Sequence, residues 1–242
     1  MRSIIVTGAS SGIGQATAEL FLAEGWTVGL LARSEGKLEE IARANQNAIP
    51  LVADVTNPDA VSTAFRLFMN RANRLDVLFN NAGIFAPGGT IDEIALEDWY
   101  QSVNVNLNGM FLSARQAFGI MRRQSLQGGR IINNGSIAAH APRPNSVHYS
   151  ATKHAITGLT RSLSLDGRAF GIACGQIDIG NARTPMVQNL VETAKAEGNT
   201  PDPTMDVDDA ARSVLHMATL PPEANVQFMT VMATTMPYIG RG

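Results

Sequence analysis

A glycine-rich segment near the start of the chain restricts the fold more than any other feature. Residues 7–14 read TGASSGIG and lie between an apolar run at residues 3–7 and a stretch that predicts a helix. Gly8 allows a tight turn out of the strand, Gly12 leaves room for a phosphate to approach the backbone, and Gly14 lets the helix pack close to the sheet. A glycine-rich turn between a first strand and a first helix is typical of dinucleotide-binding α/β folds.

The rest of the chain alternates short apolar runs with helix-like stretches. Strands are predicted at residues 3–7, 27–31, 48–52, 75–79, 130–133, 172–179 and 226–231, and helices at residues 12–24, 35–45, 59–71, 96–124, 147–170 and 206–218. Short strands separated by helices of this length form parallel βαβ units with helices on both faces of the sheet. We therefore predict one domain over residues 1–242, an α/β Rossmann-type doubly wound parallel sheet of about seven strands.

Composition excludes several other classes of protein. The 242 residues include 19 Lys and Arg against 21 Asp and Glu, a formal net charge of −2. The sequence has no cluster of basic residues that would bind nucleic acid or an anionic membrane. The single cysteine, Cys174, rules out an intramolecular disulfide and a cysteine-based metal site, and the histidine spacing predicts no metal. Since no apolar run is long enough for a membrane helix or a signal peptide, we expect a cytoplasmic protein.

The glycine-rich segment also allows a second interpretation. Residues 8–12, GASSG, match the GxSxG nucleophile elbow of α/β-hydrolases, which would make Ser10 a nucleophile, and four histidines follow it. The elbow normally follows several strands, whereas this segment follows the first. The chain also lacks an HGGG-like oxyanion stretch. Both points favour a phosphate-binding loop.

The end of the second predicted strand indicates which dinucleotide would bind. NAD sites place an acidic residue there, about 20 residues beyond the glycines, on the ribose hydroxyls. This chain instead has Arg33 and Ser34. A guanidinium can bind a 2′-phosphate through two parallel hydrogen bonds. Arg33, with Ser34 and Ser11 beside it, therefore favours NADP(H), while NAD(H) remains an option; the alternative is a solvated arginine that begins a helix.

Tyr149 and Lys153 have the spacing of a catalytic pair. At i and i+4 they share one face of a helix. An ammonium close to a phenol favours the phenolate, so the pair can exchange a proton with a carbonyl or alcohol oxygen while a hydride moves. Ser136 follows the fifth predicted strand, where its hydroxyl would hold the substrate oxygen or simply cap the strand end.

Together these motifs resemble the short-chain dehydrogenase/reductase family, in its plain single-domain branch. The resemblance rests on TGASSGIG, NNAG at residues 80–83, Ser136, and YSATK at residues 149–153, and it extends over essentially the whole chain. It implies an oxidoreductase that transfers a hydride between NADP(H) and a ketone or secondary alcohol, with Tyr149 as general acid/base. The alternative is a catalytically silent NAD(P)-binding regulator of the same fold, although such proteins usually lose the tyrosine or the lysine.

The resemblance also implies roles for individual residues. Lys153 would bind the nicotinamide ribose. Asn106 would complete a proton relay to Lys153 through water, and Asn104 and Asn108 are alternative candidates for this role. The expected catalytic residues are Asn106, Ser136, Tyr149 and Lys153. The expected cofactor-binding residues are Gly8, Ser10, Ser11, Gly12, Ile13, Gly14, Arg33, Asp54, Val55, Asn81, Ala82, Gly83, Tyr149, Lys153, Ile179 and Thr184.

The substrate side of the site is less well defined by the sequence. Residues 138–148 and 85–90 are expected to wall the pocket, under a lid that begins near Thr184. The lid residues Met186, Leu190 and Val191 would either cap an apolar substrate or form the core of a short helix. The polar wall residues would either bind an anionic group or be solvated; they are His140, Arg143 and His148.

Two further expectations come from the resemblance. Where relatives carry Pro-Gly after the sixth strand, this chain has Ile179 and Gly180, which leaves the shape of that loop open. Relatives commonly assemble through the two long helices, here predicted at residues 96–124 and 147–170, so a homodimer or homotetramer is expected. The small and apolar residues of these helices would equally suit packing on the sheet.

Overall fold

The computed structural model describes residues 2–196 and 198–239. The strands are β1 (Ser3–Thr7), β2 (Thr27–Ala32), β3 (Ala48–Val52), β4 (Val77–Asn80), β5 (Gly129–Asn134), β6 (Ile172–Ile179) and β7 (Phe228–Val231). The α-helices are α1 (Gly12–Ala23), α2 (Glu35–Ala44), α3 (Pro58–Ala72), α4 (Leu96–Val103), α5 (Gly109–Arg123), α6 (Val147–Gly167), α7 (Pro185–Ala196) and α8 (Val207–Thr219).

The strands form one sheet in the order β3-β2-β1-β4-β5-β6-β7, and every neighbouring pair is parallel. The predicted doubly wound sheet of seven strands is confirmed. Strand order reverses at β1, which lies between β2 and β4, with Val6 opposite Phe79 in the register. In open α/β sheets the crevice at such a switch point, beyond the carboxyl ends of the strands, is where ligands bind.

Alternation along β1 divides the core into two layers. Ile4 and Val6 contribute to a cluster on one face of the sheet, which includes Phe21 of α1 and residues of α8. Ile5 contributes to the other cluster, which includes Phe65 of α3 and residues of α5. Because both faces of β1 are covered, its five residues are all buried, as its unbroken apolar run predicts.

The predicted helix over residues 96–124 is helical from Leu96 to Arg123, but not α-helical throughout. It is interrupted by one π-helical turn, Asn104–Asn108, between α4 and α5. The turn brings Asn106 against the loop after β4, where its Oδ1 accepts from the Ile84 backbone N–H at 2.8 Å and its Nδ2 donates to the Ile84 carbonyl at 3.0 Å. A π turn inserts one residue into a helix, and these two hydrogen bonds compensate for the weaker helical geometry.

Two further observations bear on the expectations from composition. Within the described ranges, no helix is both long enough and apolar enough to cross a membrane. Cys174 is buried in β6, and this burial raises the pKa of its thiol to about 12. A thiol held neutral in the core is a packing group and not a nucleophile.

Candidate active site

A cavity of about 340 Å³ opens at the carboxyl ends of the central strands, where the strand order reverses. Loops after the first six strands contribute to its lining. The expected site residues that line it are Gly8, Ser10, Ser11, Gly12, Ile13, Arg33, Asp54, Val55, Asn81, Ala82, Gly83, Ser136, Tyr149, Lys153, Ile179 and Thr184. Gly14 and Asn106 lie behind the lining, so the fold brings nearly all of the expected residues to one place.

The loop after β1 presents backbone donors to this cavity. Gly8 and Gly12 have φ values of 70° and 53°, in the left-handed region that glycine adopts without strain. At the start of α1, Ser11 makes no side-chain cap, and the first turn holds no acidic residue. The first N–H groups of a helix lack helical partners and carry the positive end of the helix dipole. This end of the cavity therefore has the chemistry that a pyrophosphate needs.

Gly14 packs α1 against the loop itself. A Cβ placed at Gly14 would lie 2.2 Å from the Gly8 carbonyl oxygen and 2.6 Å from Asn81 Nδ2. We expect Gly14→Ala to destabilise the protein by about 1–3 kcal/mol, because backbone atoms would have to move. The measurement is urea denaturation. The control is Gly36→Ala in α2, where a Cβ meets nothing within 4 Å and stability should rise by up to about 1 kcal/mol. Equal midpoints for the two variants would contradict the packing role.

Asn81 joins the ends of three strands. Its backbone N–H donates to Thr7 Oγ1 at 2.8 Å, and its Nδ2 donates to the Thr7 carbonyl at 2.9 Å. Its Oδ1 accepts from Asn134 Nδ2 at 2.8 Å. The side chain predicted to bind cofactor therefore fixes the loops after β1, β4 and β5 relative to one another.

The far end of the cavity carries a charge pair. Arg33 Nη1 lies 4.0 Å from Asp54 Oδ2, and the arginine side chain is 72% exposed. Partial burial raises the pKa of the Asp54 carboxyl, but hydrogen bonds from the Thr56 N–H and hydroxyl and the charge of Arg33 outweigh it and lower the pKa. An exposed pair at this distance is weak, so the guanidinium can turn toward an anionic ligand. The sequence placed both residues at the site without indicating that they pair.

The three expected catalytic side chains that line the cavity come from the turn after β5 and from α6. Lys153 is 4% exposed, and its Nζ donates to the Asn134 carbonyl at 2.8 Å and lies 5.5 Å from the Tyr149 ring centroid. Ser136 Oγ accepts from the Ala138 N–H at 3.2 Å, and among the described residues its own hydroxyl has no acceptor. The serine hydroxyl is thus able to donate to a substrate oxygen.

The three asparagines of the π turn have different surroundings. Asn104 and Asn108 are exposed, and they bond to each other through Asn108 Nδ2 and Asn104 Oδ1 at 2.9 Å. Asn106 is fully buried, and its amide binds the Ile84 backbone and lies 3.5 Å from Thr152 Oγ1 on α6. Asn106 therefore lies behind the cavity wall, and its part in a proton relay stays a prediction.

The substrate side of the cavity combines an apolar helix with one cation. Met186, Val187 and Leu190 of α7 line it, whereas Val191 does not. Arg143 also lines the cavity, and its Nη1 lies 3.7 Å from Oδ2 of Asp202, a residue beyond α7. The sequence left a cap over the substrate and a short helix as alternatives for this segment, and the structure shows a helix whose residues line the cavity.

The two histidines of the wall do not line the cavity. His148 is buried on α6, with its Nε2 at 3.1 Å from the Ala86 carbonyl. His140 is half-exposed, with its Nε2 at 2.8 Å from Asp178 Oδ2. Neither the burial of the first nor the partner of the second follows from sequence spacing, since both contacts join distant parts of the chain.

Comparison with known proteins gives three results. Residues 2–195 match the family model described as short chain dehydrogenase. The chain is 35% identical over 201 residues to 3beta-hydroxysteroid dehydrogenase of Mediterraneibacter gnavus, covering 80% of this chain and 72% of the relative. The closed form of serine dehydrogenase complexed with NADP+ superposes with a TM-score of 0.89 at 25% identity, covering 99% and 98% of the two chains.

A second solved structure supports the fold. The 3-ketoacyl-(acyl-carrier-protein) reductase from Brucella melitensis, complexed with NADH, has a TM-score of 0.86 at 23% identity and covers 97% of this chain and 98% of that chain. This similarity supports the fold alone, and the chemistry is inferred from the residues that line the cavity.

Proposed function

The chain belongs to the short-chain dehydrogenase/reductase family, and we propose that it transfers a hydride between NADP(H) and a ketone or secondary alcohol. One observation carries the proposal. Ser136, Tyr149 and Lys153 line the same cavity as the uncapped start of α1. A proton donor, an oxygen-binding hydroxyl and a phosphate-binding helix end are the parts that such a reaction needs.

The cavity fits a dinucleotide at both ends. The free N–H groups of α1 would bind the pyrophosphate, and Lys153 would bind the nicotinamide ribose. Arg33 supports a 2′-phosphate at the other end, since it is exposed and only weakly paired to Asp54. When bound, the nicotinamide supplies or accepts the hydride. These contacts support NADP(H) as the preferred cofactor, with NAD(H) as the second.

The remaining steps are carried out by the chain itself. Ser136 donates a hydrogen bond to the substrate oxygen and orients it toward Tyr149. Tyr149 then gives its phenolic proton to that oxygen in reduction, or takes it up in oxidation, which is general acid/base catalysis. The buried ammonium of Lys153 stabilises the negative charge that is left on the phenol oxygen. The Phe85 ring, 5.1 Å from the Tyr149 ring, limits the motion of the phenol.

The substrate is proposed to be a small molecule with an apolar body. Met186, Val187 and Leu190 on one side and Phe85 on the other provide an apolar surface around the reacting groups. We also propose a homodimer or homotetramer. The exposed apolar side chains Phe111 of α5 and Leu165 of α6 support it.

The proposed function is tested by NADPH oxidation over a panel of ketones, aldehydes, diketones and 3-oxoacyl thioesters. We expect absorbance loss with at least one chemical group and none with NADPH alone. The reverse assay uses NADP+ with the matching secondary alcohols. NADPH binding without turnover in either direction would contradict the enzyme and favour the silent regulator.

A further inference from the structure

A fully buried carboxylate lies directly behind the catalytic serine. Asp178, near the end of β6, is 0% exposed. Its Oδ1 accepts from the Ser136 backbone N–H at 2.9 Å and from Gln176 Nε2 at 2.7 Å, and its Oδ2 lies 2.8 Å from His140 Nε2. All three partners can donate, which is what an ionised carboxylate requires when it is removed from water.

The carboxylate is the end point of a chain of polar side chains that crosses the sheet. Asn80 Nδ2 donates to Asn133 Oδ1 at 3.2 Å, and Asn133 Nδ2 donates to Thr160 Oγ1 at 3.0 Å. Thr160 Oγ1 donates to Gln176 Oε1 at 3.2 Å, and Gln176 in turn donates to Asp178. Each of these four hydrogen bonds is donated in the direction of the carboxylate, so successive bonds polarise one another in one direction.

The same chain connects the serine turn to the helix of the general acid/base. Thr157 and Thr160 both lie on α6. Thr160 donates to Gln176, and Thr157 Oγ1 accepts from Gln176 Nε2 at 3.2 Å. Tyr149 and Lys153 are carried by the first turns of that helix. Asp178 therefore contacts the Ser136 backbone on one side and is linked to α6 on the other.

The Asp178 carboxylate has little room to move. A Cβ at Gly135, the residue before Ser136, would lie 2.0 Å from Asp178 Oδ1. The carboxylate thus packs directly on the backbone of the turn. His140 closes the outer side, and its side chain is 40% exposed.

We propose that Asp178 and His140 are positioning residues, which fix Ser136 relative to Tyr149 and Lys153 through the backbone of the serine turn. This proposal rests on the proposed function for its catalytic consequence, but not for its structural one. The ionised carboxylate holds the Ser136 N–H, and the His140 imidazole holds the second carboxylate oxygen.

The catalytic consequence is tested by a double-mutant cycle of Asp178→Asn and Ser136→Ala. The measurement is kcat/KM for NADPH oxidation with the panel compound that the unaltered enzyme reduces fastest. If Asp178 acts through Ser136, Asp178→Asn lowers kcat/KM by about 100-fold when Ser136 is present. In the Ser136→Ala background the loss shrinks to about threefold or less, because the serine is no longer there to be misplaced. Equal losses in both backgrounds would overturn the proposal.

The structural consequence is tested without any substrate. Hydrogen exchange, measured by mass spectrometry over residues 135–141, should be faster in Asp178→Asn, since a charge-assisted hydrogen bond becomes a neutral one. The control is Asp76→Asn, at the opposite end of the sheet, where the carboxylate accepts from the Ser3 N–H at 2.8 Å. Unchanged exchange over residues 135–141 in Asp178→Asn would overturn the positioning role. A wild type that reduces nothing in the panel overturns the proposed function alone.

His140 provides a second route if Asp178→Asn does not fold. His140→Phe removes the donor to Oδ2 at a half-exposed position and should lower kcat/KM by about tenfold, with the Kd of NADPH unchanged. His140→Gln keeps an N–H donor at a similar reach and should restore most of the loss. Full activity in His140→Phe would show that the imidazole positions nothing.

Discussion

Replacement of Tyr149 by phenylalanine is expected to lower kcat by about 10²–10⁴-fold, which is the usual contribution of a positioned general acid/base. The ring keeps its contact with Phe85, so the change removes the hydroxyl without opening a void. Ser136 can still hold the substrate oxygen, but the phenolic proton that Tyr149 would exchange with it is gone. The measurements are steady-state kcat and the Kd of NADPH, which should change by no more than about threefold.

The matched control is Tyr100→Phe. Tyr100 lies on α4 with 59% of its surface exposed and does not line the cavity. The same chemical change there should leave kcat unaltered. Turnover that survives in Tyr149→Phe would contradict the proposed mechanism. Loss of NADPH binding together with turnover would show instead that the phenol supports the cofactor pocket.

The sequence predicts an element well when the signal for it lies in the residues of that element. β1 occupies residues 3–7, as predicted, because a strand covered on both faces reads as an unbroken apolar run. α3 begins where Asn57 accepts from the Asp59 and Ala60 N–H groups, with Pro58 as its first helical residue. The π turn inside the predicted long helix carries no such local signal. It arises because Asn106 bonds to the backbone of a loop 22 positions away.

The candidate site shows the same division. The glycines, Ser136, Tyr149 and Lys153 belong to short local motifs, and all but Gly14 line one cavity. The pairing of His140 with Asp178 joins residues 38 positions apart, and that of Arg143 with Asp202 is equally non-local. Neither pair has a helical or strand spacing that could indicate it. The first contact depends on how β6 meets the loop after β5, and the second on where the segment beyond α7 lies against that loop.

Replacement of Arg33 by aspartate is expected to lower the ratio of NADPH to NADH affinity by about 100-fold. The guanidinium can form charge-assisted hydrogen bonds worth about 1.5–3 kcal/mol with a 2′-phosphate, whereas a carboxylate repels that phosphate. Asp54, 4.0 Å from Arg33 in the present chain, would add a second negative charge beside the substituted residue. The measurement is the Kd of each cofactor by fluorescence titration at two salt concentrations.

The salt dependence separates a direct phosphate contact from a general change in charge. The preference for NADPH in the unaltered protein should weaken as salt is raised, since the Arg33 side chain is largely exposed and therefore screened. Arg66→Asp on α3 makes the same charge change at an exposed position outside the cavity lining and should leave the ratio unaltered. An unchanged ratio in Arg33→Asp would contradict the NADP(H) preference while leaving the oxidoreductase proposal intact, because hydride transfer depends on the opposite end of the cavity.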